Sequence, residues 1–140
     1  MDQDIVGDYI RFAGACPVCG GEAACWGGQV LVRERLEWSI EADCPACGPS
    51  ASCGSGGIPD DLRERLIGEC GPGHVDLPRP DARAAVVMKV IRAGSDLDLS
   101  QARGALQALR SGQYTGTMPE IELLARRLRA AGVAARAVRS

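Results

Sequence analysis

The sequence predicts an α+β protein in two parts: an all-β N-terminal part, and a small α+β part ordered strand, helix, helix, strand, helix, strand. Three observations predict it. The motif Cys-Pro-x-Cys-Gly occurs twice, at residues 16–20 and 44–48, and strictly alternating residues lead into the second copy. Beyond residue 80, apolar residues recur three and four apart in three blocks. Charge also divides the chain: residues 1–75 carry twelve acids and five bases, a net of −7, whereas residues 76–140 carry six acids and eleven bases, a net of +5. The turn-forming Gly71-Pro72-Gly73 lies at that change. The expected divisions are 1–57 for the β part, 58–73 for a connecting helix and turn, and 74–140 for the α+β domain.

Composition bounds the rest. With 46% hydrophobic and 24% charged residues the chain is globular in character. Only five of its 140 residues are aromatic, so Ala, Leu, Val and Gly must do most of the packing. The start, MDQDIVGDYIRF, is acidic and lacks the apolar run of a signal peptide. No stretch approaches the roughly 18 apolar residues of a membrane helix. Seven cysteines, four of them in two Cys-x-x-Cys pairs, read in that context as metal ligation in a reducing compartment. The expected location is the cytoplasm.

The two cysteine motifs define a metal site. In Cys16-Pro17-Val18-Cys19-Gly20 and Cys44-Pro45-Ala46-Cys47-Gly48, thiolates three residues apart can reach one ion if the backbone between them turns tightly. Proline presets one turn dihedral, and the following glycine accepts positive φ and frees N–H groups to bond the sulfurs. Cys16, Cys19, Cys44 and Cys47 together would close a tetrahedral zinc site with no position left for water. Leu36, Trp38, Ile40 and Ala42 alternate with Glu37, Ser39, Glu41 and Asp43, which predicts a half-buried strand entering the second motif. Gly27-Gly28 offers a turn between strands at Ala23–Trp26 and Val30–Val32. The expected architecture is a zinc ribbon, two hairpins clamped by one structural ion. A redox dithiol would need only one Cys-x-x-Cys and a βαβ setting. Ribbons this small depend on the metal, whose binding contributes about 10–16 kcal/mol in zinc-finger peptides.

Three cysteines remain. Cys25 follows Cys19 by six positions and Cys53 follows Cys47 by six, so the pattern repeats at an offset of 28. Either the repeat makes Cys25 and Cys53 equivalent, able to join Cys70 and His74 in a second metal site, or they are small buried apolar groups. The lone His74 reads most simply as a surface or strand-edge residue.

In the second half, Pro59-Asp60-Asp61 opens a short helix to about Glu69, with proline at its first position, acids in its first turn, and Leu62, Leu66 and Ile67 as its apolar side. His74–Leu77 is a short strand. Residues 81–93 form a helix with Val86, Val87, Val90 and Ile91 on one face. Ser100 starts the next, carrying Ala102, Leu106 and Leu109, and Ser111-Gly112 stops it. Met118-Pro119-Glu120 opens a third helix, with Ile121, Leu124, Ala125 and Leu128 inward and Arg126, Arg127 and Arg129 outward. Gly132 ends it, and Val133–Val138 closes the domain as a strand.

Val86-Val87-Met88-Lys89-Val90-Ile91-Arg92, then Leu97-Asp98-Leu99, then Gln101-Ala102-Arg103 resembles the C-terminal domain of the bacterial ribosomal large-subunit stalk protein. The similarity continues through Ala125-Arg126-Arg127-Leu128 and Ala130-Ala131-Gly132-Val133, and covers about residues 74–139. That resemblance implies the domain's α+β fold. It also implies that its first two helices present a basic and apolar face, which in the family recruits translation GTPases. The matching positions are Met88, Lys89, Arg92 and Arg103. Asp98 stands where the family has glycine, Ser100 where it has lysine, and a cysteine-rich part stands where it has dimerisation helices and a hinge.

These readings narrow the function. The chain has one histidine and no GxSxG, P-loop or HExxH motif, so no enzyme is expected. Nucleic-acid binding is disfavoured by the acidic ribbon, which has no basic stripe. The expected class is a non-enzymatic, zinc-stabilised protein-binding module without a small-molecule substrate. Its favoured form is an immunity or antitoxin-like protein that neutralises a toxin. The alternatives are an adaptor that binds a translation GTPase through the stalk-like face, and a nucleic-acid-binding zinc ribbon protein.

Overall fold

Alternation of apolar and polar residues decides the first sheet, and helical periodicity decides the second half of the chain. A computed structural model describes residues 5–78 and 83–140. The chain forms two units, Met1–Gly71 and Pro72–Ser140.

The first unit is an antiparallel meander of β1 (Ile5–Ala15), β2 (Glu22–Val32), β3 (Arg35–Cys44) and β4 (Gly48–Ser55), paired in that order. The expected alternation holds in β3: Trp38 and Ile40 face inward against a buried cluster of Ile10, Leu62 and Leu66, while Glu37, Ser39, Glu41 and Asp43 lie exposed on the other side. Helix α1 (Asp60–Cys70) buries Leu62 and Leu66 and packs over β1 and β2. Pro59 is its N-cap residue, one position before the helix instead of its first member, with Asp60 and Asp61 in the first turn as expected.

The expected turn at Gly27-Gly28 is absent. β2 runs unbroken through both glycines, and the reversal comes at Arg33-Glu34, where Arg33 takes a φ of 60°. Close approach, not turning, accounts for the pair. A Cβ on Gly27 would stand 2.5 Å from the Leu62 Cδ1 of α1, and one on Gly28 would run into the Tyr9 ring on the opposite face. Glycine within a strand can mark such a close approach as well as a bend.

The second unit has the expected order: β5 (Gly73–Asp76), α2 (Ala84–Ala93), α3 (Leu99–Ser111), β6 (Thr115–Gly116), α4 (Met118–Ala130) and β7 (Arg136–Arg139), with the antiparallel sheet order β6-β5-β7. Residues 81 and 82 of the expected first helix lie outside the described residues. Val87, Ile91, Leu106, Leu109, Ile121, Ala125 and Leu128 are buried together with Val75, Val133 and Ala135. α3 begins at Leu99, one residue before the expected Ser100, because Asp98 caps it: its carboxylate accepts from the Gln101 backbone N–H at 2.7 Å, and the Asp98 backbone N–H donates to Gln101 Oε1 at 2.9 Å. Thr117 and Glu120 form the same reciprocal cap before α4. The closing strand is shorter than the expected 133–138. Val133 and Ala135 enter the core first, and pairing with β5 starts at Arg136. Among the described residues no helix is long and apolar enough to cross a membrane.

Candidate metal centre

Each cysteine motif forms the turn of a hairpin. The first joins β1 to β2, the second joins β3 to β4, and both hairpins end at the same corner of the sheet. In the first turn, the Cys16 amide donates to the Gly21 carbonyl at 2.7 Å and the Gly20 amide to the Cys16 carbonyl at 2.8 Å. Gly20 and Gly48 have φ of 75° and 84°, the left-handed conformation anticipated after each second cysteine. That turn aims amides at sulfur: Val18 N–H donates to Cys16 Sγ and Gly21 N–H to Cys19 Sγ, both at 3.4 Å.

The sulfurs of Cys16, Cys19, Cys44 and Cys47 all lie within 4.8 Å of one another. Cys16 and Cys44 are buried, Cys19 and Cys47 exposed, so one buried and one exposed sulfur come from each turn. A tetrahedral ion with bonds of about 2.3 Å to sulfur has sulfur–sulfur edges of about 3.8 Å. The Cys19 and Cys44 sulfurs stand 3.7 Å apart. The donor set therefore fits a tetrahedral metal, and all seven cysteines are free thiols.

Electrostatics point the same way. The amides of Cys19 and Val18 lower the Cys16 thiol from an ordinary 9.0 to about 7. Cys47 is pushed up to about 12, chiefly because as a thiol it hydrogen-bonds the sulfurs of Cys19 and Cys16. Four sulfurs this close cannot all ionise beside one another without a cation among them. A metal held there would supply that positive charge and close both turns together.

The other cysteines do not share an equivalent setting. Cys25 is buried, with its thiol toward the Ala23 carbonyl at 3.7 Å, whereas Cys53 is exposed. Ladder register explains the difference. In the first hairpin Ala15 pairs with Glu22, so an offset of 28 would pair Asp43 with Ser50, yet Asp43 pairs with Pro49. A slip of one residue turns every side chain of a strand to the other face. The sequence repeat thus holds through the four clustered cysteines and fails beyond them. Cys70 ends α1 with its thiol toward the Tyr9 carbonyl at 3.8 Å, and His74 Nδ1 lies 2.9 Å from the Ser140 hydroxyl. Among the described residues, Cys16, Cys19, Cys44 and Cys47 form the group able to share an ion, and it includes neither Cys70 nor His74.

On the second unit, Met88 is half-buried against the core and Lys89, Arg92 and Arg103 are exposed. Met88, Lys89 and Arg92 line one open cleft of about 630 Å³ that ends at Leu97 and Leu99; Arg103 does not line it. Arg92 is braced by its Nε, which donates to the Leu97 carbonyl at 3.3 Å. Compared with family models, with curated proteins and with solved structures, the chain finds no match in any of the three.

Proposed function

We propose that the chain is a non-enzymatic protein-binding module whose first unit is stapled by one structural zinc ion. The observation that carries the metal reading is the closed donor set, four sulfurs from two hairpin turns within 4.8 Å. Four thiolates fill a tetrahedral shell and leave no position for a reacting water, so the ion would hold structure and perform no chemistry. Elemental analysis of freshly purified, reduced protein tests this: one zinc per chain is expected, and protein without stoichiometric metal overturns it.

The partner is a protein received by α2 and the start of α3 through Met88, Lys89, Arg92 and Arg103. The cleft that brings the first three together supports this, with an apolar floor beside two cations. An acidic partner would be steered toward it, and salt would slow the encounter. Neutralisation of a toxin is the form of binding we favour: a small two-part protein with a closed structural metal and no expected catalytic group acts by occupying a surface. The test is binding of the neighbouring gene's purified product, comparing wild type with the double variant Lys89→Glu, Arg92→Glu. Equal binding by both would move the contact elsewhere.

A second reading is an adaptor for a translation GTPase. The order strand, helix, helix, strand, helix, strand favours it, since the resemblance of residues 74–139 to the stalk domain implies that order. Binding of a purified translation GTPase that is lost in the same double variant would select this reading over the first.

A further inference from the structure

The first unit has a second surface, unrelated in chemistry to the cysteine turns. Among the described residues β4 is an edge strand, paired with β3 and no other strand. The Gly56 amide donates to the Leu36 carbonyl at 2.8 Å, which sets the phase of that ladder. Backbone groups of Ser50, Ser52 and Gly54 therefore point at β3, and those of Ala51, Cys53 and Ser55 point away from it. Pro49, which has no N–H to offer, falls in the outward set, where proline is tolerated. Ala51 and Cys53 are exposed.

Beside this edge the sheet's inner face is uncovered. α1 lies over β1 and β2, and the Trp38 ring lies against Gly54 of β4, 2.9 Å from where a Cβ would stand. Between α1 and β4 remains a cleft of about 540 Å³. Its walls include Phe12, Ile40, Ala42 and Leu62, with the hydroxyls of Ser50 and Ser52 along the strand side. On the outer face, one strand in from the edge, runs the exposed acidic row Glu37, Glu41 and Asp43. The outward residues of β4 that separate this row from the edge are the small Ala51, Cys53 and Ser55.

We infer that β4 receives an extended segment of a partner protein as a fifth strand, one in which apolar and basic residues alternate. Backbone pairing at Ala51 and Cys53 fixes the strand, and the period of two sorts its side chains. Apolar ones enter the cleft beside α1. Basic ones project on the outer face, about 10 Å from the acidic row, a span that Lys or Arg crosses above Ala51 and Cys53. An acidic alternating segment would meet Glu37, Glu41 and Asp43 with like charge. The surface uses no residue of the α2 cleft, so it stands or falls separately from the partner reading above.

The test titrates zinc-loaded protein with an acetylated, amidated hexapeptide of alternating valine and lysine, monitored by amide NMR. Three control peptides accompany it: one with glutamate for lysine, one with the same residues in non-alternating order, and one N-methylated on alternate amides so that one strand edge cannot pair. Saturable binding that shifts the Ala51 and Cys53 amides, and is lost with all three controls, is the expected result. Ala51→Pro removes one outward N–H without touching the β3 ladder and should weaken binding roughly tenfold. If that variant misfolds, Ser52→Trp, which fills the cleft and leaves the edge amides in place, should weaken binding similarly. The Lys89→Glu, Arg92→Glu protein should bind the peptide as wild type does. Absence of binding, binding that N-methylation leaves unchanged, or shifts confined to Glu37, Glu41 and Asp43 would overturn the inference.

Discussion

The two units solve the same problem, holding a small fold together, with different materials. In Pro72–Ser140, ten buried residues drawn from α2, α3, α4, the sheet and the α4–β7 connection make one apolar core. In Met1–Gly71 the corresponding mass is divided. One end of the sheet packs Ile10 against Leu62 and Leu66 of α1. The end holding the cysteine turns buries only Cys16, Ala23, Cys25, Ala42 and Cys44, with Phe12 at its margin. Alanines and thiols bury little area, at about 25 cal/mol per Å². That corner cannot be held by apolar burial, and it is the corner where four sulfurs converge. The difference teaches that four sulfurs able to hold an ion converge where the first unit's apolar burial is thinnest, whereas the second unit is held by one continuous apolar core.

Metal removal should split the comparison most sharply. Chelation, or Cys44→Ser, should unfold the strands of the first unit and leave the helical signal of the second, read by circular dichroism before and after zinc is restored. Simultaneous loss of both signals would show that the units depend on one another. Acid should do the same by degrees. All four thiols must lose protons to ligate, and the metal-free site holds its Cys47 proton up to about 12 although Cys16 releases its own at about 7. Affinity for zinc should therefore rise with pH from about 6 and keep rising above 8, where the Cys47 proton must still be displaced, measured by competition with a chelating dye.

The reverse experiment attacks the apolar core. Leu128, fully buried at the centre of the second unit, leaves a cavity when cut to alanine, and Leu128→Ala should cost about 2–5 kcal/mol in denaturant unfolding of that unit. Zinc content should not change. A smaller loss is expected from Asp98→Ala, which removes the reciprocal cap of α3 and costs about 1 kcal/mol in the same assay.

The smallest effects test the register slip within the first unit. Cys25→Ala trims a buried thiol and should cost about 1 kcal/mol, while Cys53→Ala should stay within about 0.5 kcal/mol. Neither should alter zinc stoichiometry. Loss of metal from either variant would show that the repeat reaches beyond the four ligands.

The cluster of Cys16, Cys19, Cys44 and Cys47 and the order of elements were legible without coordinates, because both rest on local rules. A Cys-Pro-x-Cys-Gly turn is complete within five residues, and the spacing of Ile121, Ala125 and Leu128 states a helix whatever it packs against. The boundaries were legible only in part: Asp98 read as a departure from the stalk family's glycine, and in the fold it is the capping residue of α3. Three features needed the tertiary structure. Gly27 and Gly28 look like a turn until Leu62 and Tyr9 are seen arriving from both faces. Cys25 and Cys53 look equivalent until the second hairpin closes one residue early. The cleft beside β4 exists because α1 covers one half of a sheet and not the other. Each depends on contacts between residues far apart in the chain, and such contacts leave no period, spacing or composition for a local reading to find.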